Sequence, residues 1–381
     1  MTYLLLGFLV ATLVTLYVIR TAHHHAHLSS DSATAGPQKF HHGLVPRVGG
    51  LGIVAGTFAA LGLMYLSGRP EGRIGLLLLL CAVPAFGAGL IEDLTKKVSP
   101  GKRLLATAVS AGLAVWLLGA VLHKTDIPGL DWMMGFPAFA VIATVFTVAG
   151  VANAVNIIDG FNGLASMCAA LMLTAFGGLA YLAGDMELVL ISLITVCAVM
   201  GFFVWNYPRG LIFLGDGGAY FLGFMVAEIG ILLVVRHPQV SPLVALMVCI
   251  YPVFETVFSI YRRRFLRAVP PGLPDGIHLH SLIYRRLVRW AAGPRDSSGM
   301  TARNSAVAPY LWTLCLASLA PAILFWDDSA MLGLSMGIFA FVYVFLYWGI
   351  VRFRTPVILK APRGVLRVLI RMASRSQNSG R

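Results

Sequence analysis

The chain has 381 residues, 58% of them hydrophobic and only 12% charged, with a net charge of +13. So apolar a composition excludes a soluble globular domain and places the chain in lipid, where only helices or closed barrels satisfy every backbone polar group. The apolar runs are long and lack period-two alternation, which predicts helices, and the basic excess fits anionic lipid headgroups with no nucleic acid as partner.

In chain order, eleven stretches approach the roughly 20 apolar residues that one crossing needs. They fall at residues 3–20, 48–67, 74–91, 104–122, 134–154, 165–183, 187–205, 211–235, 241–260, 309–326 and 330–351. The expected fold is therefore all-α and polytopic, one transmembrane domain over residues 1–351 followed by a basic tail at 352–381. The first run lacks a positive flank, and a polar stretch separates it from the cleavage-like Ala33-Thr34-Ala35, so it reads as an uncleaved anchor. Cys81, Cys168, Cys197, Cys249 and Cys315 all lie in apolar runs without paired spacing and read as packing residues. No internal repeat points to the two-fold construction of many transporters.

If the amino terminus faces outward and the carboxyl terminus the cytoplasm, 25 of the 29 Lys and Arg fall on the inner side, as retention of basic loops requires. The acids divide the same way. Glu71, Asp126, Asp131, Asp185, Glu187, Asp327 and Asp328 fall outward with no cluster expected around them. Glu92, Asp93, Asp159, Asp216 and Asp275 fall inward among Gly, Asn, Lys and His. Chemistry is thus expected in the inner loops near 40–50, 92–103, 153–164, 206–220 and 261–308.

The first inner loop carries His23, His24, His25 and His27, a solvated stretch, and then the run from Phe40, His41 and His42 to Pro46-Arg47-Val48-Gly49-Gly50, a turn with Arg47 available to an anion. The next joins the adjacent acids Glu92 and Asp93 to Lys96, which suits metal binding, proton abstraction or a phosphate contact, although a solvated loop would look similar. Asn153, Asn156 and Asp159 recur every three residues, so a helix would put them on one arc ended by Gly160. Such an arc, with Asn162 following, suits a nucleoside or phosphate, and a plain helix cap is the alternative. Asp216 sits among glycines that let phosphates approach, and no Gly-Lys-Ser/Thr follows to make a nucleotide P-loop. The last loop runs from Arg262 and Arg263 to Asp275, His278 and His280, the two histidines alternating as on an extended segment. Its arginines suit a diphosphate, while zinc lacks the usual ligand spacing.

In this order the motifs resemble the polyprenyl-phosphate N-acetylhexosamine-1-phosphate transferases, of the family 4 glycosyltransferase type, from about His41 to Ser281. The resemblance implies transfer of a sugar-1-phosphate from a UDP-sugar to undecaprenyl phosphate with release of UMP, initiating a cell-envelope glycan such as an O-antigen or capsule. It implies a bacterial inner-membrane enzyme with its site on the cytoplasmic face, and it allows a homodimer. It further implies magnesium, with manganese able to substitute, held by Asp216 and Asp93. Glu92, Asp93, Asp159 and Asp216 become the catalytic set, with Arg47, Lys96, Asn153, Asn156, Asn162, Arg262, Arg263, His278 and His280 binding substrate. Pro46-Arg47-x-Gly49-Gly50 looks like the N-acetylhexosamine branch. Glu92, Asn162, Ala219 and Ser281 depart from the residues usual there, which implies an altered donor preference. The competing reading is a polyprenyl-lipid flippase or transporter, whose midplane charges would have to be Glu228 and Glu255.

Overall fold

The structure is a computed structural model that describes residues 1–23, 30–31, 45–266, 277–288 and 304–352. His24, His25, His27, His41, His42, Asp275 and the tail from residue 353 onward lie outside the described residues. In chain order the helices are α1 (Thr2–Arg20), α2 (Gly50–Leu66), α3 (Pro70–Thr95), α4 (Pro100–Leu118), α5 (Leu130–Met134), α6 (Pro137–Ile157), α7 (Leu164–Leu182), α8 (Met186–Asn206), α9 (Gly215–Arg236), α10 (Pro242–Val248), α11 (Ile250–Tyr261), α12 (Leu279–Ile283), α13 (Ala308–Leu324) and α14 (Ser329–Val351). A two-residue antiparallel pairing joins β1 (Ser30–Asp31) to β2 (Val45–Pro46).

Each of the eleven predicted stretches falls on this helical framework. Among the described residues, α1, α3, α4, α6, α7, α8, α9 and α14 are the eight helices long and apolar enough to cross a membrane, or nine spans counting a bent pair. The architecture is all-α and polytopic. Two further apolar helices, α2 and α13, have 17 residues each. The stretch expected as one span at 241–260 is instead broken into α10 and α11 with a 75° bend. Pro252 explains the break, because it has no N–H to give the carbonyl of Val248 and its ring crowds that turn. The starts are set locally: Pro70, Pro100, Pro137 and Pro242 open their helices, where a missing N–H costs nothing. Asp185 and Ser241 cap α8 and α10 by accepting the N–H of Leu188 and Leu243 at 3.0 and 3.2 Å.

The bundle is built around α9, of whose residues only Asp216, Val235 and Arg236 are not buried. A helix apolar all round belongs at the centre, and α2, α3, α6 and α7 pack against it. Around the outside, Leu5, Leu9, Leu13 and Tyr17 form an exposed apolar stripe along α1, as a lipid-facing helix requires.

Several of the acids for which no reactive cluster was expected are paired structurally. Arg236 donates to Glu187 and Asp185 at 2.7 and 3.2 Å, and His237 meets Asp185 at 3.1 Å. Asp126 accepts from Lys124, Ser241 and Ser329, tying α10 and α14 together at that end. Hydropathy cannot see these pairings, since the partners are far apart in sequence.

Candidate active site

The site gathers where α3, α6 and α11 end and where α4 and α9 begin. Asp93, in the last turn of α3, turns its carboxylate onto the first turn of α9: Oδ1 accepts the N–H of Asp216 and Oδ2 that of Gly217, both at 2.9 Å. Leu214 opens α9 without a side-chain cap, so a carboxylate from another helix supplies what the sequence beside it lacks. Orphan N–H groups and the positive end of the helix dipole favour a carboxylate there. The backbones must approach closely for this. A Cβ on Gly89 would stand 2.6 Å from the Asp216 and Gly217 backbone.

Asp216 lies in that first turn rather than in a loop, and three donors reach it. Asn156 donates to Oδ1 at 3.0 Å, Arg103 donates to Oδ2, and an Arg47 nitrogen lies 3.8 Å from Oδ1 and 3.9 Å from Asp93. Arg47 is carried in by backbone pairing of its own segment with the residues before α9. Phe213 donates to the Pro46 carbonyl at 2.8 Å, and Gly49 and Gly50 donate to Phe213 and Leu214 at 3.0 Å. Gly50 is needed because a Cβ there would stand 2.5 Å from Gly218. The expected Asn arc holds, since Asn153 accepts from the Tyr220 hydroxyl at 3.2 Å while Asn156, one turn on, faces Asp216. Asp159 follows after α6 has ended at Ile157. Burial pushes its carboxyl up from the ordinary 3.8 to about 7, with the charge of Asp216 adding to the rise and Arg47 opposing it.

A second group adjoins the first. His278 caps α12 and His280 lies within it, so the pair is not extended as expected, and their rings stack at 5.2 Å. His280 Nε2 lies 3.0 Å from where a Cβ on Gly160 would sit, directly beyond Asp159. Its ring also meets Phe161 edge-on at 5.5 Å.

Two expected substrate contacts, Asn162 and Arg262, are hydrogen-bonded within the protein. Asn162 is buried at 3% exposure, its N–H donating to Asn304 at 2.8 Å and its amide to Ser305 at 3.1 Å, so it fastens the loop to the approach of α13. Arg262, 3% exposed, donates to the Ile277 carbonyl at 2.6 Å and to the Tyr347 hydroxyl, clamping the histidine segment. Arg263 is buried as well, and Lys96 is an exposed left-handed cap ending α3. Glu92 accepts the Val98 N–H at 2.6 Å, closing the turn between α3 and α4 beside the site. Arg103 and Tyr220 were not singled out as site residues. The available signal was an arginine in the first turn of the helix after an acid pair.

The magnesium that the resemblance implies is tested by the donor set. The ligands on offer are carboxylate and amide oxygens, the hard donors this cation prefers, and Asp159, raised first by burial and then by the charge of Asp216, stands close enough to feel that carboxylate. Among the described residues no three His, Cys, Asp or Glu side chains gather closely enough to hold a metal by themselves. Magnesium does not need them to, because it keeps waters and substrate phosphates as ligands. The residues fit, with one correction: both Asp93 oxygens are engaged in capping α9, so Asp93 acts first on the backbone of Asp216.

Fold and site together define a polytopic membrane protein with a carboxylate and arginine cluster at one end of its bundle. Residues 75–234 match the family described as glycosyl transferase family 4, a segment that runs from α3 through α9 and contains Glu92, Asp93, Asn156, Asp159 and Asp216. The chain is 25% identical over 250 residues to "Probable undecaprenyl-phosphate N-acetylglucosaminyl 1-phosphate transferase" of Bacillus subtilis, covering 64% of this chain and 66% of that one. It is 30% identical over 222 residues to phospho-N-acetylmuramoyl-pentapeptide-transferase of Streptococcus pneumoniae, covering 55% and 64%. To undecaprenyl-phosphate alpha-N-acetylglucosaminyl 1-phosphate transferase of Escherichia coli it is 28% identical over 304 residues, covering 74% and 79%. The chain thus spans just under two thirds of the first two relatives. Over residues 75–234 it is similar to the glycosyl transferase family 4, the family its motifs resemble.

Proposed function

We propose that the protein transfers a sugar-1-phosphate, of the N-acetylhexosamine class, from a UDP-sugar to undecaprenyl phosphate, releasing UMP. The observation that carries this reading is the convergence of Arg47, Arg103 and Asn156 on Asp216, a constellation made for a diphosphate beside a carboxylate-held cation. Relatives named for this transfer support it.

Asp216, backed by Asp93, would hold magnesium, which when bound neutralises charge on the transferring phosphoryl group. The chain's own residues position the rest. Arg47 and Arg103 bind the diphosphate oxygens of the donor, where guanidinium groups give charge-assisted hydrogen bonds. Asn153 and Asn156 line the nucleotide side, and Glu92 places the acceptor at the rim. An oxygen of the lipid phosphate attacks the sugar-linked phosphorus, and the bond to the UMP oxygen breaks. No nucleophilic side chain is needed, because phosphoryl transfer depends on alignment and charge neutralisation. The distribution of basic residues supports an inner-membrane enzyme with this end of the bundle in the cytoplasm and residues 1–351 as one catalytic domain.

The transporter reading rested on Glu228 and Glu255. Glu228 is 0% exposed inside α9 and Glu255 is tied to His278, so neither lines an open path. The test is purified protein with undecaprenyl phosphate and a panel of UDP-N-acetylhexosamines. UMP should appear with magnesium and stop with chelator, and its absence with every donor would reject the proposal.

A further inference from the structure

Glu255 lies in α11 at 1% exposure, in a helix that is otherwise mostly apolar, and the motifs assign it nothing. An ionised carboxylate withdrawn from water needs several donors to be tolerated. Here it has three. His278 Nδ1 lies 2.9 Å from Oε1, the Leu279 N–H donates to the same oxygen at 3.2 Å, and the Tyr343 hydroxyl donates to Oε2.

The frame around it is built from the last span. Tyr343 packs edge-on against Phe254 and Phe258 at 5.0 and 5.6 Å, and Tyr347 against Phe258 at 4.9 Å. That aromatic ladder fixes α14 on α11 and delivers the Tyr343 hydroxyl to Glu255. From the other side Arg262 holds the Ile277 carbonyl, one residue before His278. The histidine segment is therefore gripped on both its backbone and its ring.

We infer that Glu255 is a positioning residue of the transferase site: through His278 Nδ1 it fixes the stacked His278 and His280 rings, as a hydrogen-bonding wall for the donor diphosphate, against the turn that carries Asp159. A carboxylate bonded to one ring nitrogen sets the tautomer and orientation of an imidazole. His280, stacked on His278, carries the arrangement to Gly160. Glu255 from α11 and His280 from α12 both meet the His278 ring, and Tyr343 from α14 reaches it through Glu255. The inference rests on the proposed transferase reading for the identity of the anion, and on geometry alone for the grip.

The experiment uses the full chain in detergent micelles with undecaprenyl phosphate and the best UDP-sugar, comparing wild type with Glu255→Gln, Glu255→Asp and Tyr343→Phe. Loss of a ground-state phosphate contact raises KM, whereas a loss of folded protein lowers only the apparent kcat. Glu255→Gln should raise KM for the UDP-sugar roughly tenfold while kcat falls much less, with Tyr343→Phe smaller and Glu255→Asp between them. An unchanged KM in Glu255→Gln overturns the inference. In parallel, nuclear magnetic resonance of isotope-labelled histidine, assigned by His278→Asn, should show a strong hydrogen bond at His278 Nδ1 in wild type that is weakened in Glu255→Gln. Identical His278 signals in the two proteins would also overturn it. If wild type releases no UMP with any donor, the transferase reading fails, and the histidine signals still decide whether Glu255 holds His278.

Discussion

Asp93 and Asp216 look alike in sequence, two inner-side aspartates beside small residues, and the structure separates their work. Asp93 has both oxygens on backbone N–H groups of α9, so Asp93→Asn loses one of the two acceptors. A buried N–H left without a partner costs about 1–3 kcal/mol, and thermal unfolding of that variant should show a loss of this size. Asp216→Asn should unfold like wild type while UMP release falls to below about 1%. An unstable Asp216→Asn beside a stable Asp93→Asn would invert the assignment. Asp159 adds a dependence on pH. Its carboxyl is raised from 3.8 to about 7, so between those values the folded state keeps a proton that the unfolded chain has lost. Stability therefore falls as pH rises through that window, and the full penalty is present above it. In chelator, Asp159→Asn should melt higher than wild type at about pH 8, with the gain shrinking toward about pH 4. A gain independent of pH would refute the shift. At this scale the sequence was read well for residue type and poorly for partner. Asp93, Asp159, Asp216 and the Asn pair stand out because a carboxylate or amide at the end of an apolar run has few bland explanations. Asn162 and Arg262 carry the same chemistry, yet their bonds to Asn304 and Tyr347 cross more than eighty residues, and no local pattern records them.

Among the elements, the close seats of α9 on α3 and of α9 on the start of α2 decide where the functional groups sit. Gly89 lets α3 lie against the first turn of α9, and Gly89→Ala would force backbone apart by a few tenths of an ångström or more, given the 2.6 Å separation its Cβ would meet. Because small misplacements in a transfer site are costly, that variant should reduce turnover about a hundredfold with a far smaller change at Asp185 or elsewhere on the opposite end. Normal turnover would mean the seat is not what aligns Asp216. At that opposite end Asp185 caps α8 and pairs with Arg236 and His237. Asp185→Ala should cost about 1 kcal/mol, the value of a lost cap, and leave kinetic constants alone. The helices themselves were legible from hydropathy, with caps and opening prolines marking their starts. The break in the ninth stretch was written in Pro252 but masked by apolar residues on both sides, and the turn between Pro46 and Gly50 owes its shape to pairing with Phe213 and Leu214.

For the whole molecule, the polar ends of helices distant in sequence converge because α9 is enclosed by α2, α3, α6 and α7. The turn before α2, the end of α3, the start of α4 and the end of α6 each bring one or two groups to the same rim, which explains why the motifs are scattered along the chain and meaningful only together. The opposite end is held by Asp126, Asp185 and their partners, so the bundle is fastened at one end and carries the candidate site at the other. The central claim is that this rim joins a phosphosugar to a lipid phosphate. The most direct measurement follows both products of a single reaction in detergent: UMP in the aqueous phase and, by mass spectrometry, a sugar joined to undecaprenol through a diphosphate. The account predicts that the two appear one for one, only with magnesium, and that neither appears with Asp216→Asn. UMP without the lipid product, or equal yields of both from Asp216→Asn, would contradict it.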